Sequence, residues 1–252
     1  MSSLLAYTRR TVTGPLQYAL WSHPEWWSVA LCGFAWLAMM FRGWQKTADG
    51  FPHAVSFAHE FTYWFLSVVA MMLPLSLDAV RATANGSLWA RRNRAIAGFL
   101  IGYLAPWMAL GILAASLRDA SWTHTYAAPA LGFAVAALWQ RTPAHKRAVV
   151  ACHRRLPLAP VGWRADRDCL RFGGTIGIAC VRSCWPLMLA CTFAGHGVIA
   201  MAGGMAVGAA ERWSFRPRTR ALLWVTLALA SYYGVLAGLD MVTFAQTTSS
   251  RS

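Results

Sequence analysis

Seven apolar stretches, separated by short polar segments, dominate the hydrophobic pattern of this chain. A helix needs about 20 apolar residues to cross a bilayer. The pattern therefore predicts an all-α fold, a polytopic membrane helix bundle of about seven transmembrane helices. The fourth and sixth stretches are short, so five or six full spans are the alternative. In order, the stretches cover residues 26–41, 61–83, 95–117, 126–139, 172–193, 198–210 and 221–244.

The same pattern predicts one transmembrane domain over residues 26–244. Residues 1–25 form a cytoplasmic N-terminal segment ahead of it, and the polar residues 245–252 are expected to be a disordered tail. The basic segment 140–171 interrupts the domain as a cytoplasmic loop, with a short amphipathic helix expected around 144–155. The domain is thus continuous apart from this one long polar insertion.

The basic residues indicate the orientation of the helices. Of the 23 lysines and arginines, 18 fall in segments that lie on one side of the predicted bundle, which makes that side cytoplasmic. The N-terminus is then inside and the C-terminus outside, as expected for a multi-pass protein of the bacterial inner membrane. The net charge of +14 follows these polar segments. It favours the lipid bilayer as the partner and argues against nucleic acid.

One apolar stretch carries a row of sulfur atoms. Cys180, Cys184, Met188 and Cys191 follow helical spacing and share one face of the predicted fifth span. Thiolate and thioether groups are soft ligands that select Cu(I) over hard cations. The alternative is packing, because cysteine also serves as a small apolar residue between helices.

The second predicted span contains a methionine pair beside a proline. Met71 is expected near mid-membrane, at the depth of Cys184, and Met72 follows it. Pro74 removes a backbone hydrogen bond and predicts a kink. Either methionine could complete a sulfur site with the fifth span, although methionine in a helix is also a common filler residue.

Imidazole and carboxylate groups mark the outer side of the bundle. His59 and Glu60 begin the second span, and His196 follows the fifth. These ligands suit Cu(II) or Zn(II) if the two helices pack together. Solvated loop residues are the alternative.

Arg182 lies inside the fifth predicted span, where a charge is usually paired or faces a cavity. Asp78, on the second span, has a comparable depth. The sequence therefore predicts a structural ion pair between Arg182 and Asp78, the alternative being that Arg182 extends to the cytoplasmic head groups.

Several of these segments resemble a bacterial family of predicted metal-binding integral membrane proteins of unknown function. Residues 70–74 match its Ala-Met-Met-x-Pro pattern, and residues 180–188 its Cys-x3-Cys-Trp-x-Leu-Met pattern. Gln140-Arg-Thr-Pro143, with Cys152 downstream, matches a further segment. Ser183 stands where the family has a middle cysteine. The resemblance covers roughly residues 60–212 and implies a metal-binding role.

Three functions follow from these observations. The first is a copper-binding membrane protein that handles the ion, or that serves a membrane oxidase as a subunit or assembly factor. The second is a membrane metalloenzyme or oxygenase subunit whose ligands are His59, Glu60 and His196. The third is a transporter or scaffold subunit without metal, with Asp78, Arg182 and Glu211 lining a polar path. No catalytic signature occurs in the sequence, so enzymatic activity is left open. Other membrane-protein subunits are the expected protein partners.

Overall fold

The computed structural model describes residues 25–48, 57–117, 126–159, 161–213 and 219–249. Within these ranges the fold is helical and contains no strand, so the all-α prediction is confirmed for them. The nine α-helices are α1 (Trp26–Ala48), α2 (Phe57–Ser67), α3 (Leu77–Asn85), α4 (Arg92–Leu117), α5 (Ala127–Gln140), α6 (Pro143–Ala151), α7 (Gly162–Phe193), α8 (Val198–Trp213) and α9 (Thr219–Ser249).

Three of these helices are long and apolar enough to cross a membrane: α4, α7 and α9. A fourth candidate is the pair formed by α2 and α3, which is bent by 43° at a short break. A π-helical turn over Val68–Met72 and a 3₁₀ turn over Pro74–Ser76 flank the break. The kink expected at Pro74 is therefore present. The prediction of seven spans goes beyond the three or four helices that meet these criteria among the described residues.

Two boundaries differ from the sequence prediction. The segment 140–171 is mostly helical, because α6 begins at Pro143 and α7 already begins at Gly162. Thr142 caps α6 by accepting a hydrogen bond from the His145 backbone N–H, at 3.1 Å. At the other end of the chain, α9 continues to Ser249, so residues 245–249 are helical and not a disordered tail. No proline or glycine interrupts that last turn.

The closest helix contact joins α4 and α7, which run in the same direction. A Cβ atom built on Gly173 would lie 2.0 Å from the carbonyl oxygen of Phe99, and one on Gly102 would lie 2.1 Å from that of Leu170. Only glycine allows two backbones to approach this closely. The two helices are also joined at their beginnings, where Asp166 forms ion pairs with Arg91 and Arg94 at 2.6 and 2.8 Å.

The bundle has a basic end, where the last turns of α3 and α8, the first turns of α4 and α7, and helix α6 come together. Arg91 meets Asp166 there, and the Arg212 Nη2 group donates to the Cys152 carbonyl oxygen at 3.4 Å. Gly86, after α3, lies against Leu158. The turn between α7 and α8 lies at the opposite end. Long parallel and antiparallel helices thus connect two chemically distinct ends.

We expect Gly173→Ala to lower the free energy of unfolding by about 1–3 kcal/mol, because the added methyl group forces α4 and α7 apart. Gly234→Ala is the matched control, since nothing lies within 4 Å of a Cβ built at that position in α9. Thermal unfolding of the purified variants in detergent measures the difference. Equal melting temperatures for the two variants would contradict the importance of the α4–α7 contact.

Candidate metal site

The sulfur-bearing face of α7 points into the bundle. Cys180, Met188 and Cys191 are fully buried, and Cys184 is 7% exposed. The helical spacing of these residues therefore coincides with a single interior stripe. Their sulfur atoms are shielded from the surroundings of the bundle by α4, α5, α6 and α8, which pack on α7.

A third cysteine joins two members of this stripe. Cys152 follows directly after α6 and is buried at 4% exposure. The Cys180 side chain interacts electrostatically with the side chains of both Cys152 and Cys184. We call Cys152, Cys180 and Cys184 the thiol cluster. It gathers three soft donors from two separate elements, with Cys180 in the middle.

Tyr103 of α4 holds the cluster against the broken helix. Its hydroxyl donates to the Met72 carbonyl oxygen at 2.8 Å and lies 3.3 Å from Cys180 Sγ. The Met72 carbonyl needs such a donor, because the π-helical turn ends there and the site is buried. Tyr103 thus links the methionine segment and the thiol cluster through one atom.

Charged side chains surround the cluster on the basic end. Arg212 is partly buried and interacts electrostatically with the side chains of Cys180, Cys152 and Cys184. Beside it, Glu211 Oε1 lies 3.2 Å from Nε2 of the buried His145. The other ring nitrogen of His145 lies 3.1 Å from the Ser183 carbonyl oxygen. A cation and a carboxylate–imidazole pair therefore lie directly next to the three thiols.

The cluster borders a cleft with about 10 Å³ of free space. That is roughly the volume swept by the centre of one water-sized sphere, so the cleft has room for a single small occupant. Its polar lining consists of Cys152, Ser183, Cys184, Glu211 and Arg212.

Interaction with the Cys180 side chain, followed by burial, raises the pKa of the Cys152 thiol above its ordinary range. Cys152 is therefore a neutral thiol at pH 7 when no metal is bound. A metal ion that binds its sulfur must displace the proton.

The methionine pair occupies a different part of the interior. Met71 and Met72 are both fully buried. A Cβ built on Gly204 would lie 3.0 Å from Met71 Cε and 3.1 Å from Cys191 Sγ, so these two side chains meet over the glycine. We call them the Met71–Cys191 pair. The sequence places Met71 at the depth of Cys184, but the structure brings it next to Cys191, about two turns along α7.

The outer residues are arranged around an aromatic ring. The rings of His59 and His196 lie 4.7 and 5.7 Å from that of Tyr63, measured between centroids. His196 Nδ1 is 2.7 Å from Ser67 Oγ, and Glu60 is buried at 9% exposure. The structure thus brings α2 and the turn after α7 together, with Tyr63 in contact with both imidazole rings.

The expected ion pair between Arg182 and Asp78 is not formed. Both side chains are exposed, and they line separate pockets on different sides of α7. Within the part of the chain that the structure describes, neither has an ion-pair partner. Similar depth along two helices was the basis of the prediction, but the helices present these residues in different directions.

Among the described residues, no group of three or more His, Cys, Asp or Glu side chains has the spacing of a metal site. The thiol cluster needs its sulfur atoms to draw together around an ion. Cys152 was missed as a ligand from the sequence, although it follows the Gln-x-Thr-Pro motif in the segment that resembles the metal-binding family. That motif, which precedes α6, was the only feature of the sequence that pointed to Cys152.

The fold and site define an all-helical protein with a buried, sulfur-rich interior. The model of the PpoB2 family, described as copper chaperone, matches residues 61–237. The chain belongs to this family, and the match contains the thiol cluster and the Met71–Cys191 pair. No curated protein and no solved structure matches the chain. The family supports the predicted relation to copper.

We expect His145→Ala to destabilise the protein by about 1–3 kcal/mol, because Glu211 then keeps a largely buried carboxylate without its imidazole partner. Lys146→Ala, at an exposed position of the same helix, is the control. Thermal unfolding in detergent reports the difference. If both variants melt at the wild-type temperature, the carboxylate–imidazole pair contributes nothing to the site.

Proposed function

We propose that the protein binds Cu(I) as cargo at the thiol cluster and passes it on within a membrane. The observation that carries this proposal is the convergence of Cys152, Cys180 and Cys184 in the interior of a chain from a copper chaperone family. Copper is the expected ligand because soft sulfur donors favour Cu(I). Cu(I) accepts as few as two sulfur ligands, so the three thiols exceed the minimum.

The surrounding charges suit such an ion. Cu(I) bound by two thiolates carries one net negative charge, and a third thiolate adds another. Burying this charge is costly without a nearby cation. Arg212 supplies the cation, since its guanidinium group donates to the Cys152 carbonyl oxygen and lines the cleft with Cys152 and Cys184. Each thiol that binds the ion releases its proton. The adjacent carboxylate–imidazole pair of Glu211 and His145 is placed to accept one, and the other protons pass to the solvent.

The remaining sulfur atoms form a route away from the cluster. Met188 lies one turn beyond Cys184 on the buried face of α7, and the Met71–Cys191 pair lies roughly 10 Å from Cys184 at 1.5 Å rise per residue. A neutral thioether holds Cu(I) less tightly than thiolate ligands do. Transfer from the thiol cluster through Met188 to this pair is therefore the proposed direction of release.

Helix directions support a membrane arrangement with the N-terminus inside. The chain enters α4 and α7 at the basic end, and α5 returns antiparallel to α7, since Gly132 meets Ala190 and Trp139 meets Arg182. With α1, α8 and α9 also crossing, we propose seven spans in the bacterial inner membrane. The basic end is then cytoplasmic, as the positive-inside rule requires.

A copper-using membrane oxidase is the proposed recipient, with this chain as an assembly factor or subunit. The alternative of a metalloenzyme centred on His59, Glu60 and His196 has less support. Tyr63 packs against both imidazole rings, and His196 Nδ1 already lies 2.7 Å from Ser67 Oγ. A transporter path through Asp78, Arg182 and Glu211 also has less support, since the first two residues line separate exterior pockets.

We expect Cys180→Ala and Cys152→Ala each to weaken Cu(I) binding at least about tenfold, equivalent to about 1.4 kcal/mol. Each removes a thiolate from the cluster. Anaerobic competition titration of the full chain in detergent with a chromophoric Cu(I) chelator measures the affinity.

Cys169→Ala is the matched control, because Cys169 is equally buried in α7 but lies near Gly98, away from the cluster. It should bind Cu(I) as the wild type does. If the cluster variants also bind at wild-type affinity, copper is held elsewhere and the proposed site is wrong.

Reporter fusions test the membrane arrangement. Green fluorescent protein inserted after Leu156, between α6 and α7, should fluoresce, because that connection is cytoplasmic. The same protein fused after Ser252 should stay dark, whereas alkaline phosphatase there should be active. Fluorescence at both positions would contradict an odd number of spans, and recovery of the chain in the soluble fraction would contradict membrane insertion.

A further inference from the structure

An open groove runs along the outside of the bundle between α5, α6 and α7. It has a volume of about 640 Å³ and is separate from the cleft beside the thiol cluster. Its polar lining comes from Arg147, Arg154, Arg182 and Thr175, and its apolar lining from Trp139, Ile178 and four alanines. The groove therefore combines strong positive charge with an apolar floor.

The three arginines have no acidic counterpart. No aspartate or glutamate lines the groove. In the part of the chain described by the structure, none of the three guanidinium groups forms an ion pair. Arg147 donates only its Nε, to the Pro143 carbonyl oxygen at 3.3 Å. Three like charges converging on one groove repel each other unless an anion lies between them. Guanidinium groups match the geometry of phosphate oxygens in particular.

The rest of the groove selects against a purely ionic ligand. Ile178 is 48% exposed, and alanines of α6 and α7 continue the apolar surface. The Trp139 indole N–H donates to the Arg182 carbonyl oxygen at 3.0 Å, which fixes the ring as a rigid wall. A second ring, that of Trp185, lies edge-on against Trp139 at 5.8 Å. Fixed indole rings beside arginines are typical of the boundary between head groups and acyl chains.

We infer that this groove binds an anionic phospholipid, whose phosphate contacts Arg147, Arg154 and Arg182 while an acyl chain lies along Ile178 and the alanines. Charge complementarity and the amphipathic lining carry the assignment. It rests on the proposed membrane location but not on copper binding. It also explains why Arg182 does without an acidic partner within the bundle.

The test is a thermal unfolding assay of the full chain in a neutral detergent. Phosphatidylglycerol, phosphatidylcholine and inorganic phosphate are added separately. Phosphatidylglycerol at about 100 times its dissociation constant should raise the melting temperature by roughly 5–10 °C. Phosphatidylcholine and inorganic phosphate should not. The groove variant carries Arg147→Gln, Arg154→Gln and Arg182→Gln. It should lose this shift in melting temperature.

The control variant removes three arginines from the first turns of α7, outside the groove: Arg164→Gln, Arg167→Gln and Arg171→Gln. It should keep the full shift. An equal loss in both variants, or an equal shift with inorganic phosphate, would overturn the lipid site.

A second measurement tests the proposal if the triple variant does not fold. Native mass spectrometry of Arg154→Gln, whose side chain is exposed, should show reduced retention of phosphatidylglycerol relative to wild type. Unchanged retention would contradict the proposal. A protein found in the soluble fraction would overturn the membrane location itself, whereas a membrane protein indifferent to phosphatidylglycerol would overturn only the lipid site.

Discussion

The backbone contact between α4 and α7 is the constraint on which the rest of the interior depends. Gly102 and Gly173 let the two helices touch, and the residue next to Gly102 is Tyr103. At this close approach the Tyr103 hydroxyl reaches both the Met72 carbonyl oxygen and the sulfur of Cys180. A wider separation would leave the carbonyl unsatisfied and the thiol without its polar neighbour. The glycines therefore set the geometry of the proposed copper site as well as the stability of the bundle.

The break between α2 and α3 also positions residues of the sulfur-rich interior. The π-helical turn and Pro74 interrupt the regular hydrogen bonds of a segment that is buried in the middle of the bundle. Tyr103 compensates one exposed carbonyl, and the Ser76 hydroxyl donates to that of Leu73 at 2.8 Å. The bend turns Met71 toward α8, where Gly204 leaves room for it beside Cys191. A costly irregularity is thus placed next to the Met71–Cys191 pair, which is typical of a functional position.

Much of this arrangement follows from the sequence, because helical periodicity and proline act locally. The sulfur face of α7 could be predicted from spacing alone, and the kink from Pro74. The residues that these side chains contact in the folded protein could not be predicted from the sequence. Cys152 reaches Cys180 only because α6 folds back onto α7, and depth along a helix says nothing about direction around it. For that reason Arg182 faces a groove of arginines, whereas Asp78 lines another pocket. The long α7 was also underestimated, since its first turns are polar yet contain no residue that breaks a helix.

The central claim is that Cu(I) is held by sulfur atoms of the thiol cluster. X-ray absorption at the copper edge, on the full chain loaded with one equivalent of Cu(I) in detergent, tests it most directly. The account predicts a first coordination shell of sulfur alone, changed in the Cys180→Ala variant and unchanged in Cys169→Ala. A shell dominated by nitrogen or oxygen would show that the sulfur atoms of the thiol cluster do not hold the ion, and would contradict the account.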